Sequence, residues 1–288
     1  MRWILSAALL AAFSLAASAA HADAEARDRQ VISLPADARK AERFVTHATG
    51  SLVVETDGSV SDVKLAMASS TREIYRQAIT RWVFEPMRVG GEPVRAKARF
   101  TLLASGTAIP GSDDMRLGID QVWFHESSSL EGEEEYRPER SRLVPPRYPA
   151  DAASAGFGGT VDVLVKLDAE GRVVDAGVAG VALSRRAIRS ERQAESMARK
   201  LAEASVRAAR GWVLGDPEVL EIGSAIIPVT FHPPQEPIGG WKPQIPLEVT
   251  PHPWMLTVQA QAVALTPGGE PTSSRFKLVD EVAGTAVN

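Results

Sequence analysis

Two stretches of the chain alternate apolar and polar residues, reverse at an acidic residue followed by glycine, and then run apolar again. In the later stretch, opened by Gly159-Thr160-Val161, residues Val161, Val163, Val165 and Leu167 sit at period two. That spacing predicts a strand with one buried and one wet face. Glu170-Gly171 follows, then Arg172-Val173-Val174-Asp175. The earlier stretch reads Thr49-Gly50-Ser51-Leu52-Val53-Val54-Glu55, turns at Asp57-Gly58 and continues Ser59-Val60-Ser61-Asp62-Val63-Lys64-Leu65. An acidic residue and glycine between apolar runs predict a tight hairpin, because glycine accepts the positive φ that the reversal demands.

A helix is expected after each hairpin. Ser70-Thr71-Arg72-Glu73 has capping-box spacing, and Ile74, Ala78, Ile79 and Trp82 fall on one helical face. The second helix is longer, about Ser190 to Arg210, with Met197, Leu201, Ala204, Ala208 and Trp212 as its inner stripe and Gly211 as a left-handed terminator. A third strand closes each repeat, at Ala96–Phe100 and at Ile226–Phe231. The order strand, strand, helix, strand predicts an α+β protein of two diverged units, each a small antiparallel sheet packed on one helix.

The first unit spans residues 23–103 and the second 143–232. Between them, Ala104 to Arg142 reads as an acidic connector with Glu131, Glu133, Glu134 and Glu135; its Ile119, Val122, Trp123 and Phe124 fit one edge strand. A Pro- and Gly-rich tail, 233–288, carries Trp241, Trp254, Met255 and Leu256 and is expected to lie against the domains. Leu256-Thr257-Val258 and Phe276-Lys277-Leu278-Val279 read as short strands.

Composition narrows the setting. Arg2, the apolar run Ile4 to Ala20 and Ala20-His21-Ala22 have the layout of a secretory signal cut after Ala22; the other reading is a retained inner-membrane anchor facing the periplasm. The chain is mildly acidic, with formal charge −4, which argues against a nucleic-acid footprint. It has no cysteine, so it has neither disulfides nor a thiol nucleophile. The histidines are scattered, Gly156-Phe157-Gly158-Gly159 precedes a strand, and the Ser-x-x-Lys matches at Ser61 and Ser274 fall in expected strands. No enzyme motif or cofactor site emerges from these patterns.

The second repeat resembles the C-terminal domain family of TonB, on Pro146-Arg147-Tyr148-Pro149, Gly159-Thr160-Val161, Glu170-Gly171 and Trp212. The first adds Asp57-Gly58, Trp82-Val83-Phe84-Glu85-Pro86 and Gly91-Glu92-Pro93-Val94. Pro145 stands where receptor-binding members carry Gln. The resemblance implies a non-enzymatic periplasmic protein in energy-coupled transport across the outer membrane. Its partner would be an outer-membrane receptor or another envelope protein, bound by strand addition. Inner-membrane motor proteins would join if the N-terminus is retained, and a homodimer through sheet edges is a further option. A soluble binding or scaffold module without energy coupling is the second reading. By the same analogy the partner would be met by Tyr148 and Pro149 together with Ile226, Ile227, Val229 and Phe231. The bland reading of Tyr148-Pro149 is a device that fixes the chain's approach to the sheet. Pro228 marks Ile226–Phe231 as an edge strand or a bulge.

Overall fold

The computed structural model describes residues 30–35, 43–67, 71–109, 111–125, 129–130, 141–184, 188–233, 240–265, 276–280, 282 and 285–287. The signal or anchor expected at 1–22 and the acidic cluster Glu131–Glu135 lie outside them. Among the described residues no helix is long and apolar enough to cross a membrane.

The strands are β1 (Ile32–Ser33), β2 (Arg43–Val54), β3 (Val60–Ala66), β4 (Arg88–Val89), β5 (Glu92–Pro93), β6 (Ala96–Ala108) and β7 (Met115–Phe124). They continue with β8 (Ser129–Leu130), β9 (Gly159–Leu167), β10 (Val173–Ser184), β11 (Ser224–Phe231), β12 (Lys242–Val249), β13 (Val263–Ala264) and β14 (Thr285–Ala286). The helices are α1 (Arg72–Thr80), α2 (Ala150–Ser154), α3 (Glu191–Ala209), α4 (Pro217–Ile222) and α5 (Pro253–Val258).

The expected α+β class holds, but the two small sheets are not separate. All described strands except β4 and β5 belong to one sheet, whose main path is β13-β11-β9-β10-β12-β2-β6-β7-β14. Its apolar residues form two cores. One gathers β9, β10, β11 and α3; the other gathers β2, β6, β7 and α1.

Strand, strand, helix, strand occurs in each half, with the first strand central: β3-β2-β6 and β10-β9-β11. The correspondence extends to single bonds. Phe84 donates its N–H to Gly58 O at 2.9 Å, and Leu214 donates to Gly171 O at 2.9 Å. Val83 bridges Ser59 as Val213 bridges Arg172. Gly58 has φ 87 and Gly171 φ 76. A Cβ on either would lie 2.1 Å from Phe84 O or 1.9 Å from Leu214 O, so both turns exclude side chains. The third strands share a register: Leu52, Gly50 and Ala48 face Ala98, Phe100 and Leu102, as Val165, Val163 and Val161 face Ala225, Ile227 and Val229. Trp82 and Trp212, 6% and 3% exposed, are core residues just beyond the two helices.

Several local expectations change. In α1 the buried residues are Tyr75 and Ile79, while Ile74 is exposed. Thr71 makes no side-chain cap bond, and Ser70 lies outside the described residues. Tyr75 is drawn inward because its hydroxyl donates to Ser105 O and Gly118 O, at 2.9 and 3.1 Å; a buried phenol needs such partners. In α3 the cap at Ser190 accepts from Gln193 N–H. The inner stripe is Ala194, Ala198, Leu201, Ala202, Ser205 and Ala209, with Met197, Ala204 and Ala208 on its flank. Small residues let the helix approach the sheet closely. Gly211 does not take positive φ; the helix ends at Arg210 in ordinary right-handed geometry.

The segment expected as a connector belongs partly to the sheet. Strand β6 continues to Ala108, and β7 pairs along it from Phe124–Phe100 to Met115–Ala108. The tail is woven in rather than laid on. Strand β12 pairs β10 through Gln244–Leu247 and β2 through Lys242–Gln244. Its two prolines sit where only one flank is paired: Pro243 faces Phe44 of β2, and Pro246 faces Ala182 of β10. Gln244 alone in β12 pairs on both sides, with Ser184 and Arg43. Leu256–Val258 is helical, within α5, rather than a strand. Lys277–Val279 lies beside Val83–Glu85, through Glu85 N–H to Lys277 O and Val279 N–H to Val83 O, each 2.9 Å. In the second half Arg142 holds that place beside Val213, with bonds of 2.7 and 3.2 Å. The tail thus supplies the first half with a flank that the second half takes from its own lead-in.

Candidate functional site

A sheet edge that ends without a neighbour is a ready pairing surface. On the second half, the outer side of β10 is closed by the chain itself. β12 pairs Val181–Ser184. The Gln30 carboxamide donates to Val178 O at 2.8 Å and accepts Val178 N–H at 2.7 Å. The Asp175 carboxylate accepts Ala176 N–H. At the rim of the first half, β3 carries a bulge with Asp62 at φ 46 and the charged pair Asp62–Lys64, features that discourage pairing.

The outer side of β11 is different. It pairs β9 along its whole length, while β13 covers only Ala225 and Ile226 on the other flank. Among the described residues no strand lies against Pro228–Phe231 there. Leu265 donates its N–H to Ile226 O at 2.8 Å, which shows that Ile226 points its main chain outward. Alternation along the strand then turns Pro228 and Thr230 outward too. Pro228 has no N–H to leave orphaned, which suits it to this edge. Among the described residues no main-chain partner reaches Pro228 C=O or either group of Thr230.

Beside this edge runs a groove of about 400 Å³, lined by Leu143, Pro145, Pro146, Tyr148, Trp212 and Ile227–His232. The indole of Trp212 donates to Val144 O at 2.8 Å and holds the proline-rich wall in place. Tyr148 donates its hydroxyl to Phe157 O at 2.6 Å and sets its ring edge-on to Phe231, centroids 5.2 Å apart. It therefore fixes the chain's approach and lines the groove at once.

The expected contact residues divide. Tyr148, Ile227, Val229 and Phe231 line the groove, the last three with side chains in the core. Ile226 is already bonded to the tail. Pro149 sits at the N-terminal boundary of α2, outside the groove lining. Sequence reasoning missed Leu143, Pro146, Trp212 and Thr230 as site residues. The comparison of the two halves carries the missing signal, because β7 covers the edge of β6, while among the described residues β13 reaches the edge of β11 only at Ala225 and Ile226.

A larger concavity of about 480 Å³ lies by α3, with Arg199, Arg207, Arg210, His252 and Trp254 in its lining. The strand edge it adjoins is the one Gln30 and Asp175 already occupy, so it offers no comparable pairing surface. No group of metal-ligating side chains occurs among the described residues.

No family model, no curated protein and no solved structure matches this chain.

Proposed function

We propose that the chain is a TonB-like envelope protein that binds extended segments of other envelope proteins by adding them to the open edge of β11, in energy-coupled transport across the outer membrane. The resemblance of the motifs supports the family and the periplasmic setting. One structural observation carries the binding mode. The first half fills the corresponding edge, that of β6, with the chain's own β7, while among the described residues no strand covers Pro228–Phe231 of the second half, beside an apolar groove. Such an edge supplies main-chain hydrogen bonds for affinity and flanking walls for selectivity.

The test places a photo-crosslinking amino acid at Thr230 in exporting cells, with the exposed Leu256 as control site. The expected product joins Thr230 to one extended segment of an envelope protein, mapped by mass spectrometry, and is absent from Leu256. The same products at both sites, or none at Thr230, would remove the proposal.

A further inference from the structure

The duplication also says how a strand would lie on β11, an inference that rests on the strand-addition reading. Matched by register, Phe100, Leu102 and Ala104 of β6 correspond to Ile227, Val229 and Phe231 of β11, and Thr101 and Leu103 correspond to Pro228 and Thr230. The occupant of the β6 edge runs antiparallel. Phe124 lies opposite Phe100, Val122 opposite Leu102, and Ile119, after a bulge, opposite Ala104. These β7 side chains join the core of their half. Trp123 and Gln121 lie opposite Thr101 and Leu103.

The end of the occupied stretch is matched as well. His125 donates its N–H to Arg99 O at 2.8 Å, just past the end of β7. The equivalent acceptor on the other half, Ile226 O, takes the N–H of Leu265 at 2.8 Å. The tail already holds that position, so an added strand must stop opposite Ile227.

We infer that the β11 edge takes an extended segment antiparallel to β11, about five residues long, with apolar side chains at the alternate positions opposite Ile227, Val229 and Phe231. Those side chains enter the groove between Tyr148 and Trp212, as Phe124 and Val122 enter the first core. Pro228 stands where the first half has Thr101, so the added strand forms one main-chain bond fewer than β7 does. That makes the site suited to a reversible visitor rather than a permanent strand.

The probe is a synthetic peptide of the β7 sequence, Met115–Phe124, titrated against the full chain. Its control moves the apolar residues by one position. Because the chain has no cysteine, His232→Cys, just past the end of β11, gives one defined thiol. Peptides with a cysteine at either end then report direction by disulfide formation. We expect saturable binding of the β7 peptide, weaker binding of the shifted control, and faster cross-linking to His232→Cys from the N-terminal cysteine. Thr230→Pro removes an outward N–H and keeps the main-chain bonds to β9, giving up only the hydroxyl contact with Thr160, and should weaken binding about tenfold. Faster cross-linking from the C-terminal cysteine, or equal affinity for the shifted control, would overturn the inference and leave strand addition standing. No saturable binding, or unchanged affinity in Thr230→Pro, would overturn both.

Discussion

Asp162 sits on β9 between Gly180 of β10 and Pro228 of β11. Gly180 makes room for it: a Cβ there would fall 2.9 Å from the carboxylate. Burial pushes the Asp162 carboxyl up to about 6 from 3.8. The folded chain therefore holds this proton more tightly than the unfolded chain. The contribution is favourable at low pH and is lost as pH rises from the unfolded value through about 6. Asp162→Asn keeps the shape and removes the charge. It should raise the melting temperature at neutral pH, and the gain should fade as the pH falls toward the unfolded value. Thermal unfolding across pH checks this; a gain independent of pH would contradict it. Nothing in the alternating pattern marked Asp162 as unusual, because a polar residue on the wet face of a strand is the ordinary case. Its neighbours, a glycine and a proline, create the exception.

Element identity was legible where the period was clean. The β9 strand, both glycine turns and the start of α3 near Ser190 follow from local chemistry. The stripes on α1 and α3 were less legible. Tyr75 turns inward for two carbonyl acceptors on distant strands, and α3 approaches the sheet on alanines rather than on Met197. Strand β12 was missed for a physical reason. Its sequence, Lys242-Pro243-Gln244-Ile245-Pro246, argues against a central strand. It is tolerated because each proline faces a partner on one flank only. Gln244, paired on both flanks, is then the seam between the halves. Gln244→Pro should uncouple the two cores, so that denaturant unfolding followed by tryptophan fluorescence and by circular dichroism no longer coincides. Coincident transitions at the wild-type midpoint would show that the seam does not depend on this residue.

At the scale of the whole molecule, one plan is used twice and finished differently. The first half covers its closing strand with β7 and takes a flank from the tail at Lys277–Val279. The second half takes its flank from the lead-in at Arg142, and among the described residues no strand covers Pro228–Phe231 beside the groove. The α+β class, the two glycine turns and the two core tryptophans were visible in the sequence. The difference between the repeats was not, because a covered and an uncovered edge have the same alternation. That difference supports the functional reading, since a free edge beside apolar walls has the chemistry to recognise an extended polypeptide. The most direct measurement is amide hydrogen exchange at two equivalent positions of the free protein, Leu103 on β6 and Thr230 on β11. The account predicts slow exchange at Leu103, fast exchange at Thr230, and protection of Thr230 when the β7 peptide is added. Thr230 as protected as Leu103 in the free protein would mean that the edge is already occupied, and the account would fail.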